Sequence, residues 1–149
     1  MDNFIIDSGI KEYQINSKGI LRFNPSDPNV YARFVDATKK IHAVEQQMAE
    51  KAKILSDKGS ENAGEETLQI MRETDKQMKA ILNEIFGHEN DFDKLLENVN
   101  LMAVATNGER VISNLMNALQ PIMEAGAKAC VSQEVADAKL NREQRRAMQ

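Results

Sequence analysis

A seam of apolar residues in the first half of the chain constrains the fold more than any other feature of the sequence. Its members follow one another at spacings of 4, 3, 4, 3, 4, 4 and 3 residues: Val30, Phe34, Ala37, Ile41, Val44, Met48, Ala52 and Leu55. This is close to a heptad repeat. A helix of about 28 residues is roughly 42 Å long, at ~1.5 Å per residue. It needs a second long helix along its apolar face, from this chain or from a second copy.

The segment before this seam alternates apolar and polar residues with a period of two. Four apolar residues flank the turn-forming stretch NSKG, two on each side: Tyr13, Ile15, Leu21 and Phe23. This pattern predicts a β-hairpin at about 11–23. A two-stranded hairpin alone is marginal in water, so its apolar face needs a cover. The rest of the chain can supply that cover only as helices.

The pattern of apolar and capping residues predicts four helices, at about 28–56, 65–86, 91–98 and 107–138. Pro121 lies inside the last of them, so we expect a kink there. The expected fold class is therefore mainly α with a small N-terminal β-hairpin. Within it, a long helical hairpin is followed by a C-terminal kinked helix, and residues 1–138 form a single helical domain.

The charge of the chain is unevenly distributed. The formal net charge is −4, yet residues 139–149 hold four basic residues and one acidic residue, which leaves −7 on residues 1–138. An acidic body argues against a protein whose main task is to coat DNA or RNA, so nucleic acid is not an expected partner. The apolar stripe is lost in residues 139–149, which we expect to form a basic, flexible tail.

The sequence shows no sign of membrane insertion or export. It contains no apolar run of 18 residues, and its N-terminal stretch MDNFIIDSGIKEY has acidic residues where a signal peptide needs a basic start. Cys130 is the one cysteine and cannot form an internal disulfide. A cytoplasmic protein with no membrane partner is expected.

Residue types that carry chemistry are sparse. His42 and His88 have no Cys, Asp or second His at metal-ligand spacing, and Cys130 has no paired histidine. The stretch NDFDK lacks the glycine and the distal glutamate of a calcium loop. We therefore predict no catalytic residue, no metal and no cofactor, and hence not an enzyme.

Eight methionines leave two interpretations open, an ordinary helical core or a flexible groove that adapts to differing partners. The candidate partner-binding residues come from the seam, the methionine-rich faces and the basic tail. They are Phe34, Ile41, Val44, Met48, Met71, Met78, Met116, Met123, Arg142, Arg145 and Arg146.

Three segments carry a resemblance to a known family: IKEYQINSKGILRFNPSDPNVYARF (10–34), NDFDKLLENVNLMAVATNGERVISNLMNALQPIM (90–123) and NREQRRAMQ (141–149). Their arrangement resembles the tail assembly chaperones of long-tailed, siphovirus-type phages and prophages of Gram-positive bacteria. The likeness covers most of the chain and is one of overall pattern, since none of the segments is a catalytic signature.

The resemblance implies a chaperone of the host cytoplasm that is absent from the mature virion. Such a chaperone binds the long, helical tape-measure protein and keeps it soluble while the tail tube assembles. The implied partners are the tape-measure protein and, as a second candidate, the tail-tube protein. Separately, the long heptad seam favours self-association of the chain in a dimer or ring. The alternative is a phage structural or regulatory adaptor, either a tail-completion component or an inhibitor of a host protein.

Overall fold

The computed structural model describes residues 1–59 and 61–148. It contains two strands followed by four helices: β1 (Lys11–Ile15), β2 (Gly19–Phe23), α1 (Pro28–Lys58), α2 (Ala63–Phe86), α3 (Phe92–Leu95) and α4 (Val111–Ala147). The predicted fold class, mainly α with a small N-terminal β-hairpin, is confirmed.

The hairpin pairs β1 and β2 in antiparallel register, with Tyr13 opposite Leu21. Leu21 and Phe23 are buried, and the ring of Phe23 stacks on Tyr13 and meets Phe86 of α2 edge-on. Gly19 lies so close to α3 that a Cβ there would be 2.5 Å from the side chain of Leu95. The helices therefore cover the apolar face of the hairpin, as its composition requires.

Helix α1 begins with a conventional cap and buries the predicted seam. The side chain of Asp27 accepts a hydrogen bond from the N–H of Asn29 at 2.9 Å, and Pro28 occupies the first turn. Every seam residue is buried or half-buried. The long helix that packs along the seam is α2 of the same chain. The long helix that the seam needs as a partner is therefore supplied by the same chain.

The apolar face of α2 differs from its prediction at the end near the α1–α2 loop. Leu68 falls on the same side of the helix as Met71, Met78 and Ile85, and this spacing predicts that it points inward. It is exposed instead, whereas Thr74 is buried with its hydroxyl bonded to the C=O of Ile70. On α1 the fully buried residues likewise end at Met48. The core therefore stops before the loop end of the helical hairpin, which explains why an apolar residue there remains in solvent.

Helix α4 starts at Val111, four residues later than predicted, because residues 106–109 (TNGE) form a turn and not the first turn of the helix. The N–H of Gly108 donates to the C=O of Ala105 at 3.0 Å, and Val104 forms an isolated bridge with Arg110. The helix then runs through Pro121. The kink at that residue stays a prediction.

The far end of α4 also differs from expectation. Residues 139–149 are predicted to be a flexible tail after a helix that ends at 138, but the helix continues to Ala147. The reason is local: residues 131–147 lack Gly and Pro and are rich in good helix formers. Arg145 and Arg146 also complement the negative C-terminal end of the helix dipole.

Candidate functional site

Most of the predicted partner-binding residues lie inside the molecule. Five are buried in the hydrophobic core: Phe34, Ile41, Met48, Met78 and Met123. Val44, Met71 and Met116 are partly buried and pack against that core. These eight side chains are occupied by contacts within the chain, so a partner would reach the buried ones only if the helices separated. Their role in partner binding stays a prediction.

The three remaining candidates lie far from the others. Arg142, Arg145 and Arg146 are exposed near the end of α4. Arg142 is nineteen residues beyond Met123 on the same helix, which places the two roughly 28 Å apart along its axis. The structure therefore does not join the arginines and the methionines in one site.

A first exposed surface is the end of α4 beyond Cys130, which we call the α4 projection (residues 131–147). Every residue in it is exposed. One face carries Val131, Val135, Ala138, Arg142 and Arg146 at spacings of 4, 3, 4 and 4, so these side chains fall on one side of the helix. The face is apolar near the body and basic toward the tip.

A groove lies at the base of the α4 projection. It has a volume of about 780 Å³ and is lined by Pro28 and Tyr31 of α1 and by Cys130 and Val131 of α4. The spacing of Val131, Val135 and Ala138 is a signal in the sequence for this surface. The groove itself has no such signal, since it depends on how α1 and α4 meet.

A second exposed surface is a groove of about 500 Å³ between β1 and the first half of α4, which we call the edge groove. The β1 side is formed by residues 13–16, and the α4 side includes Leu115, Ala118, Leu119 and Ile122. None of the described residues that line this groove is charged. An apolar cleft of this kind suits an uncharged, extended or helical segment.

The ion pairs of the structure hold elements together. Lys79 of α2 donates hydrogen bonds to Asp75, at 2.9 Å, and to Asp93 of α3. Burial lowers the pKa of Lys79, but the bonds to Asp93 and Asp75 outweigh it, so the pKa is raised overall. Asp75 also accepts the N–H of Leu101 at 2.8 Å. This cluster fastens α3 and the following loop to α2.

A similar structural link joins α1 and α2 at the surface. Lys40 donates a hydrogen bond to Glu84 at 2.8 Å, which raises the pKa of the lysine. Both side chains are more than half exposed. Such an exposed pair contributes little to stability, and it offers no nucleophile or proton donor in a cleft.

The histidines lie apart from the two grooves. His42 is exposed and contacts Gln46 of the same helix at 3.3 Å, and His88 is exposed after α2. Within residues 1–59 and 61–148, no three His, Cys, Asp or Glu side chains come close enough to hold a metal ion. None of the described helices combines the length and the apolar character needed to cross a bilayer.

Comparison with protein-family models, with curated proteins and with solved structures finds no match for this chain. The surfaces described above are therefore the basis for assigning a function.

Proposed function

We propose that this chain is a phage tail assembly chaperone that binds the tape-measure protein and keeps it soluble during tail-tube assembly. It acts in the host cytoplasm without a cofactor and does not remain in the mature virion. The proposal starts from the resemblance carried by residues 10–34, 90–123 and 141–149. Self-association and contact with the tail-tube protein belong to the same proposal.

The observation that carries the proposal is the α4 projection. It spans seventeen residues, from Val131 to Ala147, and all of them are exposed. Most helices in proteins owe their stability to packing of an apolar face rather than to propensity. An uncovered face with apolar residues at helical spacing is therefore suited to pack against a second helix. The client in the proposal is a long helical protein, which offers such helices.

The charge of the projection defines the kind of helix that fits. Val131 and Val135 favour a client helix with an apolar stripe. Arg142 and Arg146, nearer the tip of the projection, favour acidic residues at one end of that client stripe. The rest of the chain is acidic, so it repels an acidic client segment elsewhere on its surface. The chemistry therefore favours an amphipathic client helix that is acidic at one end.

Residues of the seam are poor probes of this function. Ile41 is buried between α1 and α2. A charge there, as in Ile41→Glu, would unfold the chain before it reported on a partner, because an unpaired buried charge costs several kcal/mol or more. Probes of client binding should therefore lie on the exposed projection.

The test is co-expression of this chain with the tape-measure protein encoded in the same phage genome, followed by pull-down and measurement of the soluble client. We expect the client to become soluble and to co-purify. The double variant Val131→Glu/Val135→Glu should lower the recovered client at least tenfold, because it places charge on the apolar face. Leu140→Glu is the matched control. Its side chain is 53% exposed, between the 50% of Val135 and the 64% of Val131.

Helical geometry places the control substitution on a different side of the projection from the two valines. Leu140 follows Val131 by nine residues, which at about 100° per residue places it on the opposite side of the same helix. Leu140→Glu should therefore leave client recovery unchanged. The proposal fails if wild-type chain leaves the client insoluble and unbound, or if the valine double variant recovers as much client as the leucine variant.

A failed test would favour the adaptor alternative. Detection of the chain in purified virions would then indicate a tail-completion component. Its absence from virions would direct attention to inhibition of a host protein.

A further inference from the structure

The N-terminal ten residues form an exposed arm with an apolar centre. Phe4, Ile5 and Ile6 are 82%, 98% and 73% exposed. Three consecutive large apolar side chains left in water are costly, at about 25 cal/mol per Å² of apolar surface. In an extended arm, Phe4 and Ile6 fall on one face and Ile5 on the other. The arm is thus a segment that gains free energy by docking.

Strand β1 has an open edge that can accept such a segment. On the other strand, the side chain of Asn90 binds both the N–H of Arg22, at 2.9 Å, and its C=O, at 3.1 Å. The backbone groups of Arg22 therefore face away from β1. In an antiparallel ladder, the residue opposite faces away as well. Glu12 is opposite Arg22 and Gln14 is opposite Ile20.

The N–H and C=O groups of Glu12 and Gln14 consequently point outward from the hairpin. In the part of the chain that the structure describes, no residue hydrogen-bonds to them on that side. Such an edge is a template for one more strand. The edge groove runs between residues 13–16, at the end of β1 and the start of the turn, and helix α4. An added strand would therefore place one of its faces on the apolar side of α4.

The arm matches this groove in charge as well as in apolar character. Its apolar centre is flanked by Asp2 and Asp7, whereas β1 begins with Lys11 and is followed in the turn by Lys18. The carboxylate of Glu12 on β1 is paired with Arg22 at 3.2 Å. Neither lysine forms an ion pair with any residue of the described ranges 1–59 and 61–148. An acidic, apolar arm therefore meets a lysine-flanked, apolar groove.

The arm of the same chain is held away from this groove. The C=O of Ser8 accepts a hydrogen bond from the side chain of Asn24 at 2.9 Å, and Asn24 directly follows β2. The base of the arm thus lies beside the end of β2, whereas the groove lies between residues 13–16 on the β1 side of the hairpin and helix α4. Gly9 fits tightly there, because a Cβ would be 2.7 Å from Nδ2 of Asn24.

We propose that the arm of one copy, with Phe4 and Ile6 as anchors, adds as a strand to the outer edge of β1 in a second copy and fills its edge groove. Main-chain hydrogen bonds to Glu12 and Gln14 contribute affinity. The two apolar side chains packed on α4 fix the register and add the free energy of burying apolar surface. The inference rests on the geometry of the hairpin and α4, and it stands apart from any client.

The test is the molar mass of the full chain in solution, measured by size-exclusion chromatography with light scattering over a dilution series. Wild type should be a dimer or larger assembly that dissociates on dilution. Phe4→Ser/Ile6→Ser should raise the dissociation constant at least tenfold. Ile54→Ser/Leu68→Ser removes two exposed apolar side chains near the α1–α2 loop, away from the arm, and it should leave assembly unchanged.

A second variant probes the strand edge. Gln14→Pro removes an outward-facing N–H and leaves the ladder with β2 intact, which is the position at which an edge strand tolerates proline. It should weaken assembly as the arm variant does, with an unchanged circular dichroism spectrum. If that spectrum changes, the arm variant alone decides the outcome.

Mixing two variants distinguishes docking of one copy's arm in another copy's groove from other modes of association. Ala118→Glu blocks the groove but keeps the arm, and Phe4→Ser/Ile6→Ser blocks the arm but keeps the groove. Each variant alone should be monomeric, and a mixture should form a 1:1 complex through the one intact arm and the one intact groove. A monomeric wild type, or assembly unaffected by the arm variant, would overturn the inference. Client solubility is a separate readout, so it can fail while assembly persists.

Discussion

A single glycine decides how closely α4 approaches the start of α1. A Cβ on Gly126 would lie 1.8 Å from the carbonyl oxygen of Pro25 and 2.4 Å from its carbon. These are backbone atoms, so they cannot rotate away as the end of a side chain could. The close approach depends on the absence of a side chain at this position.

Gly126→Ala should lower the free energy of unfolding by about 1–3 kcal/mol, because it forces two backbones apart. This loss runs against helix propensity, which favours alanine by ~1 kcal/mol. Gly64→Ala is the matched control, since no residue in the described ranges lies within 4 Å of the added Cβ in α2. It should raise stability by up to ~1 kcal/mol. Urea unfolding followed by circular dichroism measures both, and equal effects of the two variants would contradict the contact.

At this scale the sequence predicts burial well where a periodic pattern is long. The seam from Val30 to Leu55 faces inward as expected. Leu68 is the exception, because periodicity shows which side of a helix is apolar but not how far along it the cover extends. Periodicity does not show that position 126 requires glycine. That requirement arises from contact with Pro25, about a hundred residues earlier in the chain.

At the scale of elements, the two halves of the single helix α4 have different surroundings. Its first half, up to Met123, buries Ile112, Leu115 and Leu119 against the core. The α4 projection has no such contacts and is held by its own backbone hydrogen bonds and by pairs such as Gln133 with Asp137, at 3.1 Å. It avoids the cost of nucleation because it extends a helix that is already packed.

Native-state amide hydrogen exchange should divide α4 at about Cys130. Amides of residues 131–147 should exchange by local fraying, with opening free energies near ~0–2 kcal/mol, whereas those around Leu115 and Leu119 should approach the global free energy of unfolding. Exchange measured by mass spectrometry on peptides from each half tests this. The packed first half of α4 is the control for the projection. Uniform protection along the helix would show that the projection is covered in solution.

At the scale of the whole molecule, Asn90 ties the hairpin to the helices. It is a buried polar residue, and its amide also donates to the C=O of Phe86 at 2.8 Å, in addition to its two bonds with Arg22. The hairpin is too small to be stable alone. This side chain therefore helps two parts of the chain to unfold as one unit.

Asn90→Ala should lower the free energy of unfolding by about 1–3 kcal/mol, because part-buried backbone groups of Arg22 and Phe86 lose their partner. Asn117→Ala on the exposed side of α4 should change it by less than about 0.5 kcal/mol. Thermal unfolding followed by far-ultraviolet circular dichroism and by tyrosine fluorescence, in a Tyr31→Phe background that leaves Tyr13 as the fluorophore, compares the two. An Asn90→Ala variant as stable as Asn117→Ala would mean that the hairpin is held by its apolar contacts alone.

The sequence by itself determined the elements of this protein, since those follow from local periodicity, turn residues and caps. It also determined that the long seam needs a helical partner. Only the tertiary structure decided that this partner is α2, that five of the predicted interface residues belong to the core, and that the exposed surfaces are the edge groove and the α4 projection. The physical reason is that a buried and an uncovered apolar stripe have the same pattern along the chain, and only contacts between distant residues distinguish them.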